Sequence, residues 1–90
     1  MSAITYNKKA YRFVGSTTLS QLRASNETLT NTAIERRDDQ LLIALIRRFG
    51  KLENGRPAEM PSDVIDYDHN VVFCYQLPHC DEEYVLFERE

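Results

Sequence analysis

The sequence predicts an α+β domain in which one main helix packs on a mainly antiparallel sheet of three to four strands. Two observations indicate this class: one segment has apolar residues at helical spacing, and several short segments are rich in β-branched and aromatic residues. The 90 residues, 42% of them hydrophobic, fit a single domain over 1–90. One helix covers one face of such a sheet, so we expect two layers.

The main helix is predicted from about residue 32 to residue 49. Thr32 and Glu35 have the spacing of a capping box at its start. Gly50 follows the last apolar residue, where we expect a left-handed C-terminal cap. The apolar face of this helix comprises Ile34, Leu41, Leu42, Leu45, Ile46 and Phe49.

Four segments are predicted strands, because β-branched and aromatic residues dominate or alternate in them. They lie at about residues 8–14, 64–67, 71–77 and 83–89. Thr18 and Gln21 have capping-box spacing, which indicates one short helical turn after the first strand. Segment 52–63 contains Asn-Gly and two prolines, so it is a predicted loop between the helix and the C-terminal β-meander.

Both faces of the C-terminal strands are apolar. In segment 71–77, Phe73 and Tyr75 share one face of the strand. Val72 and Cys74 share the other face. The main helix covers only one face of the sheet. We therefore expect the short N-terminal segment, a second subunit or a partner protein to cover the other face. A homodimer or a complex is therefore one prediction from the sequence.

An apolar and aromatic sheet face with an acidic rim is the predicted protein-binding surface. Aromatic side chains are common anchors of interfaces, and acidic residues steer a basic partner toward them. The predicted contact residues are Tyr11, Tyr75, Tyr84, Leu86, Asp81, Glu82 and Glu83. We therefore expect a small non-catalytic interaction or regulatory module that binds a protein partner or itself. Small domains without catalytic motifs are typical of accessory proteins of bacteria and phages.

Charge is divided unevenly along the chain. Residues 1–56 hold ten basic and five acidic residues, and residues 57–90 hold one basic and nine acidic residues. A basic stripe on the predicted helix would comprise Arg36, Arg37, Arg47, Arg48 and Lys51. Such a stripe suits phosphate contacts, so a nucleic-acid-binding regulator is the alternative function. The net charge of −3 and the interleaved acids favour a solvated helix face instead.

Three aspartates suggest a third function, a metal-dependent hydrolase. Asp63, Asp66 and Asp68 could supply carboxylate ligands, and Asp66 and Asp68 would share one face of an extended strand. Solvated charges on an edge strand are the better explanation, because edge strands use such charges against aggregation. The sequence contains no phosphate-binding loop and no nucleophile or zinc-protease motif. We therefore expect no enzymatic activity and no cofactor.

The stretch 73–87 gathers two cysteines and a histidine without the spacing of a metal site. Cys74 falls within a predicted strand, and His79 and Cys80 are adjacent in a predicted loop. Structural zinc sites carry paired ligands, which are missing here. Two cysteines are also too few for a disulfide framework. The sequence shows no apolar leader and no run near the ~20 residues of a membrane span, so we expect a cytoplasmic protein without membrane contact.

Overall fold

The computed structural model describes residues 3–51, 56 and 59–90, which form a five-stranded sheet and three helices. The strands are β1 (Ala3–Tyr6), β2 (Lys9–Thr18), β3 (Asp63–Tyr67), β4 (Asn70–Leu77) and β5 (Asp81–Arg89). The helices, all between β2 and β3, are α1 (Leu19–Ser25), α2 (Glu27–Glu35) and α3 (Asp39–Phe49). The sheet is antiparallel with the order β1-β2-β5-β4-β3. The α+β class is confirmed, but three to four strands and one main helix were too few.

The predicted helix 32–49 is wrong as a single element, because the chain breaks between α2 and α3. Arg37 adopts the left-handed conformation, with φ 51°, and thereby ends the helical path of α2. The Asp38 carboxylate then accepts a hydrogen bond from the Leu41 N–H at 3.0 Å and caps α3. No apolar residue lies between Ile34 and Leu41, so nothing in this stretch would anchor a continuous helix to the core.

The starts of α1 and α2 are set by local caps. The capping box of Thr18 and Gln21 is confirmed: the Thr18 hydroxyl accepts from the Gln21 N–H at 3.1 Å, and the Gln21 side chain accepts from the Thr18 N–H at 3.3 Å. The capping box expected at Thr32 and Glu35 is wrong, because α2 already begins after Asn26. The Asn26 side chain accepts from a backbone N–H of the first turn at 3.1 Å.

Gly50 ends α3 without a left-handed cap, which corrects the prediction. Its backbone is extended, with φ −69° and ψ 140°. A Cβ at this position would lie 2.5 Å from the Ile46 carbonyl oxygen, so close backbone approach requires the glycine. The chain then pairs with β2 through two hydrogen bonds between Ser16 and Lys51, of 3.0 and 2.9 Å.

Three tight connections link the antiparallel strands, and each contains two consecutive residues with positive φ. The pairs are Asn7–Lys8 between β1 and β2, Asp68–His69 between β3 and β4, and His79–Cys80 between β4 and β5. Positive φ at both central residues is the mark of a type I′ turn, which favours Asn-Gly and Asp-Gly. None of these three turns contains a glycine. Without that signal, and with only four residues, β1 was missed by the sequence prediction.

The three helices cover one face of the sheet. The cluster between these two layers comprises Leu19, Leu22, Ala33, Leu42, Ile43, Leu45, Ile46, Val72, Cys74, Tyr84 and Leu86. The fully buried Thr30 hydroxyl donates to the Leu22 carbonyl at 3.0 Å and joins α1 to α2. The longest of these helices, α3, has 11 residues. In the described part of the chain, no helix is long and apolar enough to cross a membrane.

The second face of the sheet is covered within the same chain. Its cluster comprises Tyr11, Val71, Phe73, Tyr75, Val85 and Phe87, with Ile4, Tyr6, Phe13 and Val64 packed against it. The rings of Tyr6 and Phe73 lie 6.0 Å apart, although two strands separate β1 from β4. The sheet is therefore strongly curled. The sequence left three ways to cover this sheet face: the N-terminal segment, a second subunit or a partner protein. The structure shows the N-terminal segment packed against it.

The connection from α3 to β3 is described only in part. Within the predicted loop 52–63, residues 52–55, 57 and 58 lie outside the described residues. Arg56 stacks its guanidinium over the Tyr75 ring, 5.2 Å from the centroid. The Tyr75 hydroxyl donates to the Arg56 carbonyl at 2.6 Å. This contact closes the second sheet face at the end of β4.

Candidate functional site

The apolar residues of the predicted protein-binding surface lie in the core. Their exposed fractions are 3% for Tyr11, 5% for Tyr75, 2% for Tyr84 and 0% for Leu86. They are also divided between the two faces, because Tyr84 and Leu86 pack beneath the helices and the other two do not. In the folded chain these side chains stabilise the core and present almost no surface to a partner.

Asp81, one of the predicted rim acids, is the first residue of β5 and caps α1. Its carboxylate accepts hydrogen bonds from the Ser20 N–H at 3.0 Å and from the Ser20 hydroxyl at 2.9 Å. Desolvation alone would raise the pKa of Asp81. The hydrogen bonds from Ser20 and from the Glu82 N–H outweigh it, so the pKa is lowered. Asp81 thus fastens α1 to the sheet.

The other two rim acids are also held by their own chain. The Glu82 carboxylate accepts from the Tyr84 hydroxyl at 2.7 Å and from the Gln76 amide at 2.8 Å. The Glu83 carboxylate pairs with the Arg56 guanidinium at 2.7 Å. Such contacts fix the start of β5 and give these acids structural roles.

Arg47 of the predicted basic stripe is fastened to the sheet. Its guanidinium donates to the Glu88 carboxylate at 2.9 Å and to the Asn70 side chain at 2.8 Å. Arg12 donates to the same carboxylate at 2.7 Å. The hydrogen bond from Arg12, followed in size by that from Arg47, lowers the pKa of Glu88. This network joins α3 to β2, β4 and β5, and both terminal nitrogens of Arg47 already donate to groups on the sheet.

The remaining basic residues do not form one stripe. Arg36 and Arg37 follow α2 and form the break itself, whereas Arg48 and Lys51 lie at and just beyond the far end of α3. All four are exposed. The eleven-residue spacing between Arg36 and Arg47 aligns side chains only on a continuous helix, and the helix is not continuous. The stripe predicted from the sequence is therefore interrupted.

The three aspartates of the hydrolase hypothesis point apart. Asp63 is paired with Cys74 and Asp66 with Val71, which places the two carboxylates on opposite faces of β3. Asp68 lies in the turn, with φ 48°, so it does not share a strand face with Asp66. Among residues 3–51, 56 and 59–90, no group of three or more potential ligands could hold a metal ion.

A groove opens where the α2–α3 turn faces the starts of β3 and β5. It has a volume of about 390 Å³. Its apolar lining comprises Ala33, Ile34, Leu42, Ile65, Cys74 and Tyr84. Its charged lining comprises Arg37, Asp38, Asp39, Asp63 and Glu82. The segment from α2 to the start of α3 contributes one wall of the groove, and the sheet contributes the other.

Strand register places the sheet side of the groove. Asp63 of β3, Cys74 of β4 and Tyr84 of β5 are successive cross-strand partners and form one row on the helix-facing side. Ile65 lies two residues beyond Asp63 on the same face. The groove is therefore built on the rigid pairing of three strands, with the α2–α3 turn above them.

The groove is acidic at its rim and carries no ionised group on its floor at neutral pH. Four carboxylates face one guanidinium, that of Arg37. Burial, with help from nearby carboxylates, raises the pKa of the Cys74 thiol to about 12. Burial and the hydrogen bond to Glu82 raise the pKa of Tyr84 as well. Both groups stay protonated, so the groove suits binding of a cationic ligand better than nucleophilic chemistry.

Sequence reasoning singled out some groove residues but missed the groove. Asp63 entered the hydrolase hypothesis and Arg37 the nucleic-acid hypothesis, whereas Glu82 and Tyr84 entered the protein-binding hypothesis. The signal that could have joined them is Asp38, a good N-cap residue in a stretch between Ile34 and Leu41 that contains no apolar residue.

Comparison with known proteins adds no relative: no family model, no curated protein and no solved structure matches this chain. The groove therefore carries the functional argument.

Proposed function

We propose that this chain is a small, non-catalytic interaction module that binds a protein partner in the groove between the α2–α3 turn and β3. The observation that carries this proposal is an open cavity with an apolar floor in a chain whose two sheet faces are otherwise buried. Concave sites with convergent polar groups are the usual places for recognition. The interaction function expected from the sequence is kept, and the contact moves from the sheet face to the groove.

Several features support binding without catalysis. The thiol of Cys74 and the hydroxyl of Tyr84 are both buried and protonated at neutral pH. The carboxylates of Asp63 and Asp66 diverge, which disfavours a shared metal.

The thiols of Cys74 and Cys80 are both free, which favours the reducing environment of the cytoplasm as the place where the chain works.

A partner protein is favoured over a second copy or a nucleic acid. The apolar sheet face that suggested self-association is covered by Tyr6 and Arg56 of the same chain. The groove rim carries four carboxylates, which repel phosphates. Arg47, which lay at the centre of the nucleic-acid hypothesis, pairs with Glu88 instead.

The proposal is tested by selecting random displayed peptides on the immobilised protein and mapping where they bind. The bound peptides are titrated into methyl-labelled protein, and the methyl resonances are followed by NMR. We expect shifts at Ile34, Leu42 and Ile65, which line the groove. Failure to select any peptide above an unrelated acidic control protein, or shifts confined to the other sheet face at Val71 and Val85, would contradict the proposal.

A further inference from the structure

We infer that the groove takes a peptide segment of the partner that carries an arginine or lysine side chain. The aliphatic stem of that side chain packs on the apolar floor, and its cationic head lies between the carboxylates of the rim. This inference rests on the proposed function and deepens it, because it names the chemistry of the partner.

The floor of the groove suits a long aliphatic stem. Ile34 of α2 and Ile65 of β3 are partly exposed, and both line the groove together with Leu42 of α3. Arginine and lysine are the charged side chains that bury an apolar stem while the head stays near water. A small inorganic cation would leave this apolar surface uncovered, and a purely apolar side chain would leave the rim charges without a partner.

The rim supplies the charge complementarity. Within the described part of the chain, Asp38, Asp39, Asp63 and Glu82 form no ion pair, whereas Glu59, Glu83 and Glu88 each pair with an arginine. Arg37 is the cationic residue among the described residues that line the groove, so carboxylates outnumber guanidinium groups there four to one. Asp38 and Glu82 already accept hydrogen bonds, but these come from neutral donors and leave the negative charges unpaired. A cation that enters the groove therefore meets carboxylate charge that no cationic group of the described chain neutralises.

The size of the groove limits the occupant to a short segment. A volume of about 390 Å³ lies near the lower end of the range for small-ligand sites. It admits one long side chain with its immediate neighbours in a peptide, but not the flat surface of a folded domain. We therefore expect recognition of a linear basic motif, with specificity set by one central cationic residue.

The test uses capped short peptides that differ only at their central residue: arginine, lysine, citrulline or norleucine. Citrulline keeps the length of arginine without its charge, and norleucine keeps an aliphatic stem alone. Each peptide is titrated into the intact, methyl-labelled protein. We expect the arginine or lysine peptide to shift the methyl resonances of Ile34 and Ile65, with an affinity at least about tenfold higher than that of the citrulline peptide.

Paired variants separate the groove from general charge. Asp39→Asn with Asp63→Asn removes two groove carboxylates, and we expect it to weaken binding of the cationic peptide about tenfold. Asp66→Asn with Asp68→Asn removes the same charge outside the groove and should leave the affinity within about twofold of wild type. Thermal unfolding of both double variants checks that each is folded.

The outcomes distinguish this inference from the function on which it rests. If citrulline and norleucine peptides shift the groove methyl resonances as strongly as arginine does, the cationic occupant is wrong and the interaction site stands. If no peptide shifts these resonances up to its solubility limit, the cationic occupant is also wrong. If the peptides shift other surfaces and the Asp66/Asp68 pair weakens binding instead, both the inference and the groove function fail.

Discussion

Glycine at the second position of each tight turn should stabilise this protein. Lys8, His69 and Cys80 have φ of 66°, 66° and 60°, a conformation that costs an ordinary residue about 1–2 kcal/mol. Glycine avoids this cost but loses more conformational entropy on folding, by about 0.5–1 kcal/mol. The net gain is about 0.5–1 kcal/mol for each turn. All three side chains are exposed, so their removal sacrifices little packing.

The gain should be visible in thermal and chemical unfolding. For a domain of this size, 1 kcal/mol shifts Tm by about 4–8 °C. A triple variant with Lys8→Gly, His69→Gly and Cys80→Gly should therefore gain at least about 6 °C if the turns act independently.

Alanine at the same three positions is the matched control. It removes the side chain but keeps the strained positive φ, so the difference between the glycine and alanine variants isolates the backbone effect. Glycine variants that are no more stable than the alanine variants would refute the assignment of these connections as strained type I′ turns.

Three further predictions concern the thiols and the cap of α1. In native protein, a thiol reagent should modify the exposed Cys80 quickly and reach the buried Cys74 only on unfolding. Burial raises the pKa of the Cys74 thiol from 9.0 to about 12, so the folded chain favours the protonated thiol. The resulting contribution to the free energy of unfolding is complete below pH 9 and is lost as the pH rises toward 12. The free energy of unfolding should fall there by up to about 1.4 kcal/mol per pH unit, and Cys74→Ala should remove that contribution in alkaline denaturation curves. Asp81→Ala should cost about 1 kcal/mol in urea unfolding, because Ser20 loses its acceptor. A loss below 0.3 kcal/mol would contradict the capping role of Asp81.

Local patterns made most of the fold predictable from the sequence. The strands at 64–67 and 71–77 were found because their β-branched and aromatic residues reflect the pleat directly. The capping pair Thr18 and Gln21 was found because all its hydrogen bonds lie within three residues. By contrast, the break at Arg37 was missed. Asp38 and Asp39 fit either a cap of a new helix or the solvated face of a continuous helix, and the helical spacing of the apolar residues on both sides favoured the continuous helix.

The candidate site was less predictable, because it depends on contacts between distant segments. The curl of the sheet brings Tyr6 onto Phe73, and no local pattern reports that contact. Arg56 likewise comes from a distant segment and covers the ring of Tyr75, which looked like an interface anchor. The groove likewise needs Asp39 of α3 above Asp63 of β3. Each residue alone resembles ordinary surface charge, and only the strand register and the helix break together place them around one cavity.

Binding of a partner in the groove is tested most directly by a methyl NMR titration with a selected peptide. We expect the shifts at saturation to concentrate on Ile34, Leu42 and Ile65. We also expect the Asp39/Asp63 double variant to weaken binding and the Asp66/Asp68 double variant to leave it unchanged. Shifts concentrated on Val71 and Val85, with equal affinities for both double variants, would show that the groove is not the binding site.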